Sequence, residues 1–376
     1  MPVIKRIHCR YGQLVKADRE NRFQREELIA PLTSAEKYGG MIQMGKIEYT
    51  DGIGVPHKGF EDEFLTHKKC SEWWYATGYL EDEENNLFSF QFTLAKIKIA
   101  GIKFHMLLTS VTDINAHKHY YGQQQAFGVK NIISTLHETT FGNLASIKYA
   151  PNENSILGNM EVSIKAKEYE LSLDMRALKA PVWHCEDGKL QMGIRDVPKQ
   201  ITYYYSFTNL SAEGIMVLDG KEHKVKGKAW FDRQGGTYQL TNPLTNWEWF
   251  SFRFFDNEEV MLFSFPQTNY ADGTYIRENG KYQRLNNYHI EPLDFITEPD
   301  TKYIFSFGWK VKIDNIKEEE YLVRPVTNGQ FNVFFFELLA EVLNKQGKRV
   351  GYCFVELLPG ARNKKIKTML AFKKKS

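Results

Sequence analysis

The chain is poor in two features that tie a protein to an oxidising compartment or to a bilayer, namely cysteine and long apolar runs. It has four cysteines in 376 residues, and their spacing is not that of a metal site. Its most apolar stretch, FNVFFFELLAEVL, is interrupted by Glu337 and Glu341 and is shorter than the roughly 18 residues of a membrane span. The first twenty residues lack the apolar segment of a secretory signal. We therefore expect a cytoplasmic protein with reduced thiols and no integral membrane segment.

The signatures of common cofactor and nucleophile sites are also missing. The sequence contains no glycine-rich phosphate loop, no GxSxG elbow and no HExxH pair. His117 and His119 would share one side of a strand, but no acidic ligand follows them in YYGQQQ. The net charge is only +3, and the basic C-terminal segment NKKIKTMLAFKKKS is typical of a solvated end. We expect no cofactor, no metal and no nucleic-acid partner.

Aromatic residues, in contrast, are abundant. They make up 14% of the chain and concentrate in segments such as SEWWYATGYL, residues 71–80. Adjacent Trp73 and Trp74 suit a strand, in which successive side chains point to opposite faces. Glu72 and Trp74 then share one face, and Trp73 and Tyr75 share the other. Aromatic side chains on both faces indicate a strand that is covered on both sides, with one face available to line a barrel interior.

A second aromatic segment indicates an internal repeat. NWEWFSFRFFDNEEVMLFSFPQ (246–267) matches SEWWYATGYLEDEENNLFSFQF (71–92) without a gap at an offset of 175 residues. Trp74 then corresponds to Trp249, and the acidic turns and the LFSF segments coincide. Each copy is typical of a β-hairpin. The match predicts a duplication that places the two tryptophans in equivalent positions.

Another pair of segments supports the duplication. IMVLDGKEHKVKGKAWFDR (215–233) has the Asp-Gly signal of a type I′ turn between two strands. LLAEVLNKQGKRVGYCFVEL (338–357) has the same shape, so that Asp232 matches Glu356. Each half of the chain thus opens with an aromatic hairpin and closes with a hairpin that ends in an acid.

The other segments with a clear pattern are also strands, and helical periodicity is weak outside residues 24–40. Their sequences are KFHMLLTSV, NMEVSIKA, YELSLDMRA, ITYYYSF, KYIFSFGWKVKI and GQFNVFFFEL. A chain of this length exceeds a single typical core. The sequence predicts an all-β fold of two antiparallel domains, 1–238 with an N-terminal extension and 239–376, with the boundary near GGTYQLTNPLTN.

These segments carry a resemblance to a known family. HKKCSEWWYATGYL, ITYYYSFTNLSAEGIMVLDGKEHKVKGKAWFDRQ and WEWFSFRFFDNEEVMLFSF resemble the hydroxyneurosporene synthase (carotenoid 1,2-hydratase) and AttH-like family. The family includes kievitone hydratase and is related to fungal decalin-forming Diels–Alderases. The resemblance covers roughly residues 60–360 and implies two tandem lipocalin-like β-barrels. It also implies redox-free chemistry on an apolar alkene.

One position departs from the family pattern. DRQGG has Gly235 where members commonly have a larger residue, as in DRQWG. The departure implies a wider pocket or an altered role at that place.

Asp232 is the main catalytic candidate. On the strand KGKAWFD it shares a face with Trp230, two residues away. In an apolar cavity its charged form would be disfavoured, and the neutral acid could protonate an alkene. Aromatic faces would stabilise the resulting carbocation. The catalytic assignment rests on the resemblance, and the alternative is that Asp232 caps a turn or pairs with an arginine such as Arg233.

Two more polar candidates lie near the first aromatic strand. Glu72 could act as a partner acid in the barrel lumen or bond to the backbone at its rim, and the sequence favours the structural role. His67 precedes the EWWY strand, where the resembled family often has a histidine, and it could donate a proton or a hydrogen bond. Trp74 and Trp249 are expected to bind the substrate.

The remaining candidates lie on other strands. Glu337 alternates with Val333, Phe335 and Leu339, so an inward acid on an apolar face is expected there. Trp230 and Tyr204 are expected to contact the substrate, although the sequence leaves open whether Tyr204 or its two tyrosine neighbours face the lumen. Glu356 is expected to be structural.

Two functions remain open at this level. The first is an enzyme of secondary metabolism, a hydratase, dehydratase or acid-assisted cyclase or isomerase that acts on an isoprenoid or polyketide alkene. The second is a lipocalin-like carrier of an apolar ligand. A buried carboxyl without a cationic partner distinguishes them, because a carrier gains nothing from that cost. In either case the partner is an apolar small molecule, and the chain is a monomer or homodimer.

Overall fold

The computed structural model describes residues 28–29 and most of residues 65–358. The gaps between 65 and 358 are 68–69, 100–101, 128–131, 136, 153–154, 187, 194–196, 198–199, 239–245, 315, 317–319, 329 and 333–334. Every regular element in the described residues is a strand, beginning with β1 (Leu28–Ile29), so the all-β prediction is confirmed. The helical pattern at 24–40 otherwise lies outside the described residues. No helix capable of spanning a membrane occurs in the described part of the chain.

One antiparallel sheet contains thirteen strands. They are β2 (Ser71–Asp82), β3 (Leu87–Ile99), β4 (Ile102–Asp113), β5 (Lys118–Phe127), β6 (Ile132–Ser134), β7 (Glu138–Phe141), β8 (Ala145–Asn152), β9 (Ser155–Lys165), β10 (Tyr169–Ala177), β11 (Val182–Trp183), β12 (Lys189–Gln191), β13 (Ile201–Leu218) and β14 (Lys221–Gly236). The order is β5-β4-β3-β2-β14-β13-β10-β9-β8-β7-β6, and β11 and β12 pair with β13.

The second antiparallel sheet contains ten strands, including β1. The others are β15 (Glu248–Phe254), β16 (Glu259–Phe265), β17 (Tyr270–Ile276), β18 (Tyr282–Leu285), β19 (Tyr288–Thr297), β20 (Ile304–Ile313), β21 (Glu320–Pro325), β22 (Phe336–Leu343) and β23 (Arg349–Leu357). The order is β1-β18-β17-β16-β15-β23-β22-β21-β20-β19. Both sheets are meanders that curl into tandem lipocalin-like barrels, as the sequence predicts.

Turn chemistry fixes the hairpins. Between β13 and β14, Asp219 and Gly220 have φ values of 49° and 80°, the left-handed pair that a type I′ turn requires. Between β2 and β3, the Asp82 carboxylate accepts hydrogen bonds from the backbone N–H groups of Glu84 and Asn86. These hydrogen bonds fix the geometry of the turn, and the turn sets the register of β2 and β3.

The apolar side chains form three main cores. One fills the first barrel and includes Trp74, and a second fills the other barrel around Phe250. A third lies between the barrels and includes Trp230 from β14 and Trp249 from β15. Strands β2, β15 and β23 and the second half of β14 are buried on both faces, because one face lines a barrel and the other lies against the second barrel.

Both segments of the predicted repeat form hairpins, but the offset predicted from the sequence is wrong. Glu81 pairs with Leu87 in the first hairpin and Arg253 with Glu259 in the second, so equivalent positions are 172 residues apart instead of 175. An odd slip moves every side chain to the other face of a strand. Trp74 therefore lies inside the first barrel, whereas Trp249 faces the other barrel. Alignment of the two LFSF segments gave the incorrect offset of 175 residues.

The predicted strand GQFNVFFFEL is wrong at Gln330, Asn332 and Phe335, while residues 329 and 333–334 lie outside the described residues. Its strand, β22, begins only at Phe336, and Phe331 forms an isolated bridge to Phe336. The polar side chains upstream bond to the strand itself. Gln330 accepts a hydrogen bond from the Leu339 N–H, and Asn332 donates to Glu337. Gln330 and Asn332 therefore lie beside β22.

Replacing Gly227 with Ala should lower the free energy of unfolding by about 1–3 kcal/mol, because an added methyl group overpacks a rigid backbone contact. A Cβ atom there would lie 2.0 Å from the Tyr79 carbonyl oxygen and 2.9 Å from the Leu80 Cα atom. Urea denaturation measures the difference. Lys226→Ala, an exposed change on the same strand, is the control and should stay within about 0.5 kcal/mol of the wild type. Equal stabilities for the two variants would contradict this β2–β14 packing.

Candidate functional site

The two faces of β14 separate two groups of polar side chains. Trp230 and Asp232 point toward the second barrel, while Arg233 points into the first barrel beside Trp74. Asp232 pairs in register with Tyr75, whose face of β2 also points toward the second barrel. The apolar surroundings expected for Asp232 are therefore those of the core between the barrels.

Asp232 is buried and held by neutral donors. Its Oδ1 atom accepts hydrogen bonds from the Ser206 hydroxyl and the Trp230 indole N–H. Burial raises the pKa of Asp232 to about 7, although the hydrogen bonds from Ser206, Trp230 and Tyr204 act in the opposite direction. Asp232 forms no ion pair with an arginine among the described residues, although its charge interacts at longer range with that of Arg253. The carboxyl is therefore close to half-protonated near pH 7.

The hydrogen-bond network continues from Asp232 to a buried histidine. His184 Nε2 lies 2.7 Å from the Ser206 hydroxyl, and burial lowers the pKa of His184 to about 3. Because Ser206 donates to Asp232, the neutral imidazole donates from Nε2, and its Nδ1 has no hydrogen-bond partner among the described residues. The order His–Ser–Asp differs from a hydrolase triad, in which histidine bonds both partners. The arrangement suits proton movement toward and away from Asp232.

Aromatic rings surround this acid. The Trp230 and Trp249 rings meet edge to face at 6.1 Å, and Tyr75 meets Trp249 at 5.7 Å. The Tyr204 hydroxyl accepts a hydrogen bond from the Trp249 indole at 3.2 Å. Tyr204, not Tyr205, faces the core between the barrels, which settles the alternative left open by the sequence. Trp230, Tyr204 and Trp249 lie together, whereas Trp74 lies on the opposite face of the sheet.

Two more buried acids lie on the second barrel at the same interface. Glu337 of β22 and Glu356 of β23 are directly paired, which places two carboxyls side by side. Burial raises the pKa of both, that of Glu356 to about 7, and their mutual repulsion raises the pKa of Glu337 further. Asn332 donates to Glu337, and the Trp247 indole donates to Glu356 at 2.6 Å. The pair therefore shares a proton near neutral pH.

Asp232, Glu337 and Glu356 together form the interface acid cluster. Glu356 contributes to the raised pKa of Asp232, and both glutamates raise the pKa of Tyr75, which lies between the two barrels. His119 extends the cluster, since its Nε2 atom lies 3.0 Å from Asn332. His119 and His117 serve as hydrogen-bonding residues at this boundary, since His117 contacts Thr327.

The expected lumen position of Glu337 is corrected, because its face belongs to the interface. The sequence predicts a structural role for Glu356, and this prediction missed that Glu356 pairs with Glu337.

Replacing Glu337 with Gln should flatten the pH dependence of stability. Both acids of the pair have raised pKa values when folded, so the native state keeps protons that the unfolded chain loses above about pH 4.3. Wild-type stability must then fall as pH rises from about 4 through about 7. In the variant this slope of the free energy of unfolding against pH should be smaller by up to about 1.4 kcal/mol per pH unit, because one titrating group is gone. Urea denaturation at pH 5, 6, 7 and 8 measures it.

Glu341→Gln is the matched control for this slope, since Glu341 lies on the same strand and pairs with Arg324, which is 61% exposed. An unchanged slope in Glu337→Gln would contradict the shared proton.

Glu72 and His67 belong to a different site, on the lumen side of β2. The Glu72 carboxylate accepts hydrogen bonds from Arg233 at 2.6 Å, from His67 at 2.8 Å and from Lys96. The two cations and the histidine outweigh burial, so the pKa of Glu72 lies well below its usual range. Arg233 also stacks over Trp74, with its guanidinium carbon 4.0 Å from the ring centroid. Glu72 is thus ionised and held in ion pairs, which fits the structural role that the sequence favours and not the alternative of a partner acid.

This ion-pair group includes a set of possible metal ligands, but its charges oppose a cation. His67, Cys70 and Glu72 have ligand atoms within 4.8 Å of one another. Burial raises the pKa of the Cys70 thiol to about 12, and Arg233 and Lys96 already occupy the carboxylate. A divalent ion there would have to displace two cations. The donor set therefore fits a structural ion-pair group better than a metal centre.

Gly235 lies beside this ion-pair group, not beside Asp232. It pairs with Glu72, and a Cβ atom on Gly235 would lie 2.9 Å from that of Glu72. The glycine accommodates the buried carboxylate and does not widen the interface, so the expectation of a wider pocket there is corrected.

Sequence reasoning missed several residues of the interface. His184 has no distinctive motif. Ser206 belongs to the segment ITYYYSF, but only the register of β13 with β14 shows that it lies opposite Asp232. Tyr75 was recognised only as an aromatic residue of β2. A signal for Glu356 was available, because its match with Asp232 between the closing hairpins places both acids on interface faces.

Comparisons with known proteins agree with this architecture. The model of the AttH-like family matches residues 57–360. An AttH candidate from Nitrosomonas europaea is 20% identical, with a TM-score of 0.70 over 82% of this chain and 98% of that chain. Kievitone hydratase from Nectria haematococca is 17% identical, with a TM-score of 0.61 over 76% and 88%. CghA with bound Sch210972 is 12% identical, with a TM-score of 0.52 over 84% and 97%. No curated protein matches the chain.

The structural likenesses show the fold, and the family model shows the relationship. The family model matches well over half of the chain and includes every strand from β2 to β23. This confirms the resemblance found from the aromatic hairpins. The chain belongs to the AttH-like family.

Proposed function

We propose that this protein is a cofactor-independent enzyme that protonates an apolar alkene, with Asp232 as the general acid. The observation that carries the proposal is a buried carboxyl, surrounded by aromatic rings and neutral donors, whose pKa is raised to about 7. A carrier has no use for such a group, because burying a carboxyl that forms no ion pair costs free energy. A general acid works best when its pKa lies near the working pH.

The proposed step begins with the neutral Asp232 carboxyl. Its proton forms a new C–H bond at one alkene carbon, the π electrons form that bond, and the second carbon becomes a carbocation. The rings of Trp230 and Tyr204 stabilise the cation through their negative faces. In hydration, water adds to the cation and returns a proton to Asp232. In cyclisation or isomerisation, an internal alkene attacks or a neighbouring C–H bond gives up its proton to Asp232.

The surrounding network would support these transfers. Ser206 stabilises the carboxylate that Asp232 becomes, and His184 orients Ser206 through the 2.7 Å contact. Because Asp232 is only 4% exposed, a substrate must displace part of the interface core to reach it. The same enclosure would keep bulk water away from the cation.

The proposed substrate is an isoprenoid or polyketide alkene of secondary metabolism, bound by Trp230, Tyr204 and Trp249. A hydratase of the same fold, kievitone hydratase, supports a lyase, and the aromatic walls equally suit a cyclase or isomerase. We further propose domains at 1–238 and 239–376 and a monomer or homodimer. Cys70, Cys185 and Cys353 are free and buried, which supports a reducing, cytoplasmic setting.

Turnover in deuterium oxide tests the proposal. Native mass spectrometry of the purified protein first identifies a co-purified apolar compound, and isoprenoid and polyketide alkenes are then screened as substrates. Proton donation to carbon predicts one solvent-derived deuterium at a fixed carbon of the product. A product without deuterium would instead indicate a pericyclic cyclase, and binding without any product would indicate a carrier. Either of these two results would contradict the proposed acid chemistry.

A further inference from the structure

Asp232 is enclosed, and the hydrogen bonds that lead away from it through Ser206 end inside the protein. Asp232 itself is 4% exposed, and Ser206 and His184, the next two members of its network, are each 0% exposed. The Nδ1 atom of His184 has no hydrogen-bond partner among the described residues. This branch therefore does not connect the Asp232 proton to bulk water through any residue that the structure describes.

The interface acid cluster, in contrast, reaches solvent. Glu337 is 3% exposed, whereas Glu356, opposite it on β23, is only half-buried. A hydrogen bond from Glu337 lowers the pKa of Glu356, so Glu337 holds the proton that this glutamate pair shares. Glu356 is thus the acid of the cluster that contacts water. A carboxyl can accept a proton on one oxygen and release one from the other, which suits the glutamate pair to proton transfer.

Tyr75 lies between the glutamate pair and Asp232. It is directly opposite Asp232 across β2 and β14, and its ring belongs to the core between the barrels. The Tyr75 hydroxyl is also close enough to Glu337 to lower the pKa of that carboxyl. No hydrogen bond of ordinary length holds this hydroxyl in place among the described residues, so it can turn between the two acids. Burial and the neighbouring acids raise the pKa of Tyr75 well above its usual range, and the neutral phenol both donates and accepts.

We propose that Tyr75 and the glutamate pair form a relay that exchanges the proton of Asp232 with bulk water. Tyr75 gives its hydroxyl proton to an ionised Asp232 as it takes one from Glu337, so the phenol never becomes charged. The glutamate pair then takes a proton from hydronium or a buffer acid at Glu356. The reverse sequence releases the proton of Asp232 to water. The relay rests on the proposed function, because the deuterium that Asp232 gives to carbon must first enter that carboxyl from the solvent.

Stopped-flow infrared spectroscopy of the full chain tests the relay without a substrate. Each protein is compared with its own Asp232→Asn counterpart, and mixing with deuterium oxide at pD 6 shifts the Asp232 acid band as O–H becomes O–D. Tyr75→Phe should slow this exchange by about 10²-fold, because one positioned proton-transfer group is lost. Glu356→Gln should slow it as well, because it removes the acid that contacts water. Tyr79→Phe, on the same face of β2, is the control and should exchange as the wild type does, since no acid of the cluster shifts the pKa of Tyr79.

The direction of the change separates a relay from a structural role. Phe keeps the ring that meets Trp249, and Gln keeps an acceptor for the Trp247 indole. A variant that merely loosened the interface would admit water and exchange faster. Exchange that is as fast as in the wild type, or faster, in Tyr75→Phe or in Glu356→Gln would overturn the relay. Unchanged exchange beside a deuterated product would remove the relay alone, whereas a product without deuterium would remove the proposed function.

Discussion

Asp232→Asn should slow turnover by about 10²- to 10⁴-fold while ligand affinity stays nearly the same. Asn has almost the shape of Asp and can still accept a hydrogen bond from Ser206 and from Trp230, so packing and binding survive. It cannot deliver a proton to carbon. Steady-state and single-turnover kinetics on an identified substrate measure the loss, and a direct titration of substrate or product measures the affinity.

The pH dependence of turnover is an independent test of Asp232 as the general acid. Only the neutral carboxyl is active as a donor, so wild-type activity should fall as pH rises through about 7. Ser206→Ala is the matched variant, because it keeps the acid and removes the hydrogen bond that most strongly lowers the pKa of Asp232. Its alkaline limb should move to higher pH. A flat profile, together with retained activity in Asp232→Asn, would remove Asp232 from the catalytic role and favour a concerted pericyclic reaction.

Arg233→Met should destabilise the fold by about 3–5 kcal/mol, because it removes one partner of a fully buried ion pair. Glu72 is 0% exposed, and the charge of Arg233 lowers the pKa of Glu72 more than any other interaction does. The pKa of Glu72 is lowered in the folded state, so its contribution is present above the unfolded pKa and is lost as the solution becomes acidic. Urea denaturation at pH 7 measures the loss.

A double-mutant cycle provides the control. Replacing Glu72 as well, in Glu72→Met with Arg233→Met, removes the stranded carboxylate and should recover part of the stability lost in the single variant. The Asp232 titration should be unaffected, because Asp232 lies on the opposite face of β14. A single Arg233→Met variant within about 1 kcal/mol of the wild type would contradict the buried ion-pair group.

The fold was accessible from the sequence because its signals are local. Asp219-Gly220 marks a turn that few residue pairs can form, and the aromatic pair at Trp73 and Trp74 suits only a strand covered on both sides. The register of the repeat was not accessible in this way. Matching letters at Trp74 and Trp249 satisfied an offset of 175, whereas the hydrogen-bonded turns require 172, and a slip of three residues reverses every face.

Only part of the candidate site could be predicted from the sequence, because the rest depends on long-range strand pairing. Alternation correctly placed Trp230 and Asp232 on one face, but no local pattern says whether that face lines a barrel or meets a second barrel. The sequence also does not show which side chains bond to a buried acid, since Glu72 and Asp232 are both acids beside tryptophans. Arg233 and Lys96 form ion pairs with Glu72 and keep it ionised, while the hydrogen bonds to Asp232 come from neutral donors. The difference depends on long-range strand pairing.

The most direct test of the central claim needs no substrate. Infrared difference spectra between the wild type and Asp232→Asn isolate the C=O stretch of the Asp232 carboxylic acid as a function of pH. The raised pKa predicts an acid band that is present at pH 6, half lost at about pH 7 and absent at pH 9. A band that disappears near pH 4, the ordinary range for aspartate, would show that Asp232 is ionised at neutral pH and would contradict its role as the proton donor.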